Sequence, residues 1–362
     1  MIDEMTGLYG VDIDKMINML SKAYISLIET RTPFNNFPSV MLWGAPGVGK
    51  SQGVREIAEK IEEATYKRVV VTDVRLLLFN PVDLRGIPTS NADKTLAVWL
   101  KPKIFQMDEG EDVVNILFLD EISVAPPSVQ AAAYQITLDR TIGEHKLPNN
   151  CIVIAAGNRT TDKSVAYNMP KALANRMCHI EVKGNSSSWH DWAVKNAIHP
   201  YIVAYLEYNT TALMRFESAG MDVAFPTPRS WEMASNVLKL MSEDIDEVYP
   251  LLVGCIGHNA ASKIKTWSNL YKSMPSIKDI FSGKEIEPPK ASELQIVLRS
   301  AMVAYARENL DKKLIDNSIQ FACRMSMSFR KKYMHDLYYI PSVRPILKDN
   351  EVFKDALKDG LK

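Results

Sequence analysis

The chain has 362 residues, enough for two or three domains and a large buried core. Its 43 basic residues are balanced by 43 acidic ones, so it has no global field to attract nucleic acid or an anionic membrane. No stretch approaches the length of a membrane span, and Met1-Ile2-Asp3-Glu4 is unlike the basic start of a signal peptide; a cytoplasmic protein is expected. The four cysteines, Cys151, Cys178, Cys255 and Cys323, lack the paired spacing of a zinc site or a disulfide framework, and are expected reduced and mostly buried. The six histidines do not cluster, so packing roles are expected for each.

In chain order, Met16, Leu20, Tyr24 and Leu27 recur at helical spacing and predict a helix over residues 11–30, stopped by the Pro33 to Pro38 segment. The apolar run Val40-Met41-Leu42-Trp43 then predicts a buried strand over 38–43. It leads directly into Gly44-Ala45-Pro46-Gly47-Val48-Gly49-Lys50-Ser51, followed by Gln52 and a helix with Val54, Ile57, Ala58 and Ile61 on one face. Strand, glycine-rich turn, lysine, hydroxyl and helix together make a complete phosphate-binding loop. A polyphosphate needs several backbone N–H donors converging beside a helix N-terminus, and glycines let the chain curl that tightly. Lys50 would supply a point charge to the phosphates and Ser51 a hydroxyl ligand for Mg²⁺.

Four further apolar, β-branched runs, 68–73, 115–119, 151–156 and 178–183, with helical stretches between them, predict a parallel sheet covered on both faces. Leu76 to Met107 reads as an irregular insertion, because Pro81, Gly86, Pro88 and Pro102 interrupt it. Past Gly184 no strand is expected. Ser186-Ser187-Ser188 can cap a helix starting at Trp189, and helical patterns run through 199–217, 229–242, 247–272, 292–309 and 311–334. Residues 275–290, with Pro275, Gly283, Pro288 and Pro289, read as a connector.

Hydrolysis at such a loop needs a metal carboxylate and a group that orients water. Asn115-Ile116-Leu117-Phe118-Leu119-Asp120-Glu121-Ile122 places two acids at the end of a hydrophobic strand, and ligands gather at the carboxyl ends of parallel strands. Asp120 is the expected Mg²⁺ ligand and Glu121 the group that polarises the attacking water. The next strand ends in Gly157-Asn158, where an amide can hold that water or a γ-phosphate oxygen.

With these residues in place the chain resembles the AAA+ ATPases, and within them the MoxR-like branch. The resemblance covers residues 36 to about 240: Walker A is Gly44 to Ser51, Walker B ends in Asp120-Glu121, and Asn158 falls at sensor 1. More particular is Leu119-Asp120-Glu121-Ile122-Ser123-Val124-Ala125-Pro126-Pro127-Ser128-Val129-Gln130, similar to the MoxR pattern of an acidic pair, alanine, proline and helix. Met169-Pro170-Lys171-Ala172-Leu173-Ala174-Asn175-Arg176 resembles the helix that ends in the arginine finger, and Thr227-Pro228-Arg229-Ser230 the start of the sensor 2 helix. Met177 departs from the aromatic that commonly follows the finger, and Arg159 puts a second polar group beside Asn158.

The resemblance implies an α/β AAA+ core with a parallel sheet flanked by helices, followed by an all-α lid and a C-terminal helical extension. The expected division is 1–35 for an N-terminal helix leading into the core, 36–185 for the core, 186–274 for the lid and 275–362 for the extension. It also implies ATP and Mg²⁺ as cofactors and a ring of identical subunits, usually a hexamer. Arg229 would contact γ-phosphate in cis and Arg176 would reach the neighbouring subunit's ATP, with Arg85 and Arg140 as further candidates for contacts across a subunit boundary. The implied activity is chaperone-like remodelling of a protein client with a von Willebrand factor A partner, the insertion being a candidate client contact. Competing classes are a nucleic-acid motor, a restriction-type GTPase and an ATP-binding scaffold. Balanced charge opposes the first two, and the intact Asp120-Glu121 pair opposes the third.

Overall fold

The computed structural model describes residues 7–159, 169, 174–215, 222–241 and 244–358. The chain forms two compact units, Met1–Gly184 and Asn185–Lys362.

The first unit is built on a parallel sheet. Its strands are β1 (Gly10–Asp12), β2 (Val40–Trp43), β3 (Arg68–Arg75), β6 (Val113–Asp120), β9 (Cys151–Gly157) and β10 (Cys178–Lys183), in the order β1-β10-β2-β9-β6-β3. The two-residue period of a strand sorts the side chains into two cores. Val40, Leu42, Ile116, Phe118, Ile152, Ile154 and Ala156 face one layer, while Met41, Leu117, Leu119, Val153 and Ala155 face the other. The first layer is completed by α1 (Ile13–Glu29) and α2 (Lys50–Thr65), the second by α4 (Pro127–Asp139). Helices α1 and α2 approach so closely that a Cβ on Gly53 would lie 2.8 Å from Met16 Cε.

All five expected strands form, and α1 lies within its expected range. Strand β1 escapes periodicity because it is only three residues long; it pairs with β10 and ends in Asp12, whose carboxylate caps α1 through the Lys15 N–H. The insertion is more ordered than its prolines suggest. It contains α3 (Pro81–Arg85) and an antiparallel hairpin of β4 (Ile87–Ser90) and β5 (Ala97–Leu100), with Pro88 opposite Trp99. An isolated two-stranded ribbon has free edges, which is where a strand proline is tolerated. A second small hairpin pairs β7 (Thr141–Ile142) with β8 (His145–Lys146).

Every regular element among the described residues of the second unit is a helix. The unit comprises α5 (Ser186–Lys195), α6 (Pro200–Tyr208), α7 (Pro228–Leu240), α8 (Ile245–Ile256), α9 (His258–Lys272), α10 (Ile277–Phe281), α11 (Ser292–Glu308), α12 (Lys312–Cys323), α13 (Met327–Tyr339), α14 (Arg344–Leu347) and α15 (Glu351–Lys358). Three local expectations need correction. The cap of α5 is Asn185, not the serine run, and its Oδ1 accepts from the Ser187 N–H at 2.9 Å. The 247–272 pattern is two helices, because Gly257 takes φ +79° and breaks the ladder. The 311–334 pattern likewise splits before Ser326, whose hydroxyl caps α13. The ends of the 199–217 and 229–242 patterns lie outside the described residues. One hydrophobic cluster runs from Trp189 through Trp231, Leu252 and Phe281 to Leu298, Tyr333 and Phe353, so residues on both sides of the expected 274/275 boundary share a single core. The 275–290 connector contains α10, whose Ile280 and Phe281 are buried in that core. Of the cysteines, all free, Cys151 is buried but Cys323 is exposed.

Candidate functional site

The loop from Gly44 to Gly49 leaves β2 at the carboxyl edge of the sheet. Gly47 (φ +78°) and Gly49 (φ +104°) take left-handed backbone that an L side chain rarely adopts, and a Cβ on Gly44 would lie 2.6 Å from the Val182 carbonyl oxygen. Helix α2 starts at Lys50, and Gly49 supplies no side-chain cap. Its first-turn N–H groups and the positive end of its dipole therefore suit an anion.

Lys50 is 8 % exposed; its ammonium donates to the carbonyls of Gly44 (2.6 Å) and Ala45 (3.2 Å) and to Oδ1 of Asn158 (3.1 Å). The Ser51 hydroxyl donates to Oδ2 of Asp120 at 2.8 Å, and the other oxygen of that carboxylate accepts the Glu121 N–H at 2.9 Å. Thus the loop is tied to the ends of β6 and β9, as the sequence anticipates. Hydroxyl and carboxylate oxygens are hard ligands of the kind Mg²⁺ takes, so Ser51 and Asp120 fit that ion chemically.

Glu121 sits at φ +60°, an uncommon conformation for a residue with a Cβ. Its turn is over-determined: Val124 N–H donates to the Glu121 carbonyl, and Ile122 N–H donates to Ala156 on β9. Ser123, 4 % exposed, accepts the Asn158 N–H on its hydroxyl at 2.9 Å and so joins the turn after Asp120-Glu121 to the end of β9. A Cβ on Gly157 would approach Met41 Cε at 2.8 Å and Ser123 Oγ at 2.9 Å, which keeps that junction tight. From α4, the buried Gln130 amide donates to the carbonyl of Ala125 at 3.1 Å and holds the same turn from below.

Two further acids belong to this edge. Burial, together with the charge of Asp120, raises the Asp73 carboxyl above its ordinary range, while Arg55 on α2 approaches it at 3.9 Å. Glu181 on β10 is fully buried and pairs with Arg159 at 2.6 Å, giving the arginine beside Asn158 a structural anchor. Sequence reading missed Ser123, Gln130, Asp73 and Glu181 as site residues. The available signals were the polar residues inside the Leu119–Gln130 pattern and single acids inside β-branched strands.

Of the remaining arginines, Arg176 is exposed and has no ion pair among the described residues; it lies in a turn closed by Met177 N–H donating to the Ala174 carbonyl. Residues 170–173, expected to form a helix before it, lie outside the described residues. Arg229, in the second unit, lies in the first turn of α7, behind the Thr227 cap, and is exposed. A cation there opposes the helix dipole, and a nearby anion would relieve it. Arg85 is exposed on α3. Arg140 is engaged within its own unit. Its guanidinium donates to the carbonyls of Cys151 (2.6 Å) and Phe34 (3.2 Å), and burial lowers its pKa.

Residues 39–179 match the model of the ATPase family associated with various cellular activities (AAA). Nucleotide binding, which an ATPase family implies, attaches to this stretch. It contains the expected first-unit site residues from Gly44 to Arg176, and Glu181 and the second unit fall outside it. Solved structures similar to the chain include PCH-2 of C. elegans, with 14% identity and a TM-score of 0.34 over 82% of this chain and 69% of that one. A mutant of RuvB from Thermotoga maritima shows 15% identity and a TM-score of 0.36 over 85% and 86% of the two chains. NtrX of Brucella abortus, solved in complex with ADP, shows 14% identity and a TM-score of 0.30 over 94% and 65%. Likenesses this distant say nothing about what the present chain acts on. No curated protein matches it.

Proposed function

We propose that the chain is a MoxR-like AAA+ ATPase that hydrolyses ATP with Mg²⁺. It works in a ring of identical subunits, usually a hexamer, as a chaperone-like remodeller of a protein client with a von Willebrand factor A partner. The observation that carries the catalytic part is the double tie of the loop, Lys50 to Asn158 and Ser51 to Asp120, which gathers cation, hydroxyl, carboxylate and amide at one sheet edge.

In this reading the Gly44 to Gln52 segment cradles the phosphates and Lys50 neutralises the transferred group. Ser51 and Asp120 would hold the metal, which supplies charge neutralisation at the β and γ oxygens when bound. Glu121 accepts the proton of the attacking water, and Asn158 orients that water or a phosphate oxygen. Arg176 stabilises transition-state charge on a neighbouring subunit's nucleotide, a role supported by its exposure and by its having no ion pair among the described residues. Arg229 is the sensor 2 arginine, and its position against the α7 dipole supports contact with an anion.

A protein client rather than nucleic acid is supported by the insertion. Leu77, Leu78, Val82, Ile87, Leu96 and Leu100 are all exposed there, and large apolar side chains so concentrated mark protein-binding surface. The test of the catalytic reading is Glu121→Gln. The variant should bind ATP as tightly as wild type and assemble normally but lose ~10²- to 10⁴-fold in turnover, the usual contribution of a general base. Wild-type turnover would remove Glu121 from this role, and affinity capture with the ATP-trapped variant would identify the client.

A further inference from the structure

One polar connection at the sheet edge has no part in the chemistry above. Trp43, the last residue of β2 before the phosphate-binding loop, donates its indole N–H to Nδ1 of His179 on β10 at 2.8 Å, and the rings stack with 16° between their planes. The other ring nitrogen of His179, Nε2, lies 2.6 Å from the Ala174 carbonyl oxygen. An indole can only donate and a carbonyl can only accept. The imidazole is therefore the neutral tautomer with its proton on Nε2, accepting from Trp43 and donating to Ala174. Ala174 opens the turn that Met177 N–H closes, and Arg176 stands inside that turn. Met177 is buried against the second layer of the core, while Asn175 and Arg176 are exposed.

We infer that His179 is a positioning residue linking the loop that holds a subunit's own nucleotide to the turn that presents Arg176 to its neighbour. This rests on the reading of Arg176 as a group acting in trans. Only one side chain separates the two segments, and its two ring nitrogens are each committed to one of them. The backbone leaves little slack on the loop side, because Gly44 follows Trp43 and packs against Val182 of the same strand as His179. Movement of the loop as phosphates arrive or leave therefore reaches the Ala174–Met177 turn through the imidazole. Neutral hydrogen bonds at fixed spacing suit that task, since a guanidinium displaced by about 1 Å can lose on the order of 10²-fold in rate.

The test separates the two ends of the link. In His179→Asn the shorter amide oxygen can still accept from Trp43 but no group reaches Ala174. In His179→Gln the terminal N–H₂ restores the reach to that carbonyl. His179→Asn should lower kcat ~10- to 10²-fold with KM for ATP changed less than ~2-fold, and His179→Gln should recover most of the loss. Mixing His179→Asn with Glu121→Gln should restore turnover, because the Asn variant keeps an intact hydrolytic site and its neighbour offers a correctly held Arg176.

Loss of ATP binding in His179→Asn, or failure of the mixture where Arg176→Ala mixed with Glu121→Gln recovers, would make His179 merely structural and overturn the inference. Wild-type turnover in His179→Asn alongside a slow Arg176→Ala would overturn it alone. Wild-type turnover in Arg176→Ala would remove the trans role of Arg176 and this inference with it.

Discussion

The two units use buried charge in opposite ways. In the first, Lys50, Ser51, Asp120 and Asn158 meet at the open edge of the sheet, held by backbone carbonyls and N–H groups, with one non-glycine residue of the site, Glu121, in left-handed backbone. In the second, charges meet inside a helical core and close on one another. Arg299 on α11, 3 % exposed, pairs with Glu207 on α6 and with Asp336 on α13; Lys332 also reaches Glu207 at 2.9 Å, and His190 on α5 reaches Asp336 at 3.0 Å. His335 lies 3.6 Å from Asp336 and 3.8 Å from Asp191. Burial works against ionising Asp336, but Arg299 and His190 outweigh it and hold the carboxyl well below the ordinary range. Polar groups set at an edge can exchange partners with a ligand, whereas a closed cluster fixes which helices meet. The first arrangement suits chemistry, the second register.

The contrast breaks most visibly at Arg299. Arg299→Ala strands Asp336 and Glu207 in a core, and removing one partner of such a pair costs about 3–5 kcal/mol. Urea unfolding of the full chain should show that loss, while Arg299→Met combined with Asp336→Leu should lose far less. A single variant as stable as wild type would mean that the cluster does not organise the second unit.

His199 sharpens the same comparison at a smaller scale. It caps α6, its Nδ1 accepting the Tyr201 N–H at 3.2 Å, and burial, with Lys239 nearby, depresses its pKa from 6.5 to about 4. A folded-state value below the unfolded one means that the unfolded chain takes the proton first. Stability is then complete above about pH 6.5 and falls as pH drops from there toward 4, by up to ~3 kcal/mol, since each pH unit between the two values is worth about 1.36 kcal/mol. His199→Asn keeps a capping oxygen without the titration. The difference in melting temperature between wild type and variant should therefore move in the variant's favour as pH falls through that window; a constant difference would mean that His199 does not titrate there.

What the sequence disclosed follows the same division. Edge chemistry is written locally: the Gly44–Ser51 loop, Asp120-Glu121 behind an apolar strand, and Asn158 after the next are contiguous patterns, and the structure brings them together. The core sheet is equally legible, because buried parallel strands are uninterrupted apolar runs. The closed cluster is not legible, since Glu207, Arg299 and Asp336 are far apart in sequence and each looks like an ordinary charge on a helix. Ser123 and Gln130 were in view, but their work depends on β9 and α4 converging on one turn, which no local pattern encodes. The β4–β5 hairpin was hidden for the converse reason, its prolines being tolerated only because the ribbon has free edges.

The smallest effect expected lies at Asp73, where the site strains against itself. Its raised pKa comes first from burial and then from the charge of Asp120, so the folded chain disfavours the ionised carboxylate relative to the unfolded chain. The penalty is present above the folded-state pKa and vanishes below the unfolded one, near 3.9 for an aspartate. Asp73→Asn should therefore melt slightly higher than wild type at pH 8, by no more than about 2 °C for a domain of this size, and the gain should fade as pH falls toward 4. The same substitution removes negative charge beside the expected metal carboxylate, so half-maximal turnover should need more Mg²⁺. A stabilised variant with unchanged Mg²⁺ dependence would show that Asp73 is a flaw of packing. A stabilised variant that needs more Mg²⁺ would show that the open edge retains the repulsion because a cation relieves it, whereas the second unit's carboxylates find their cations within the fold.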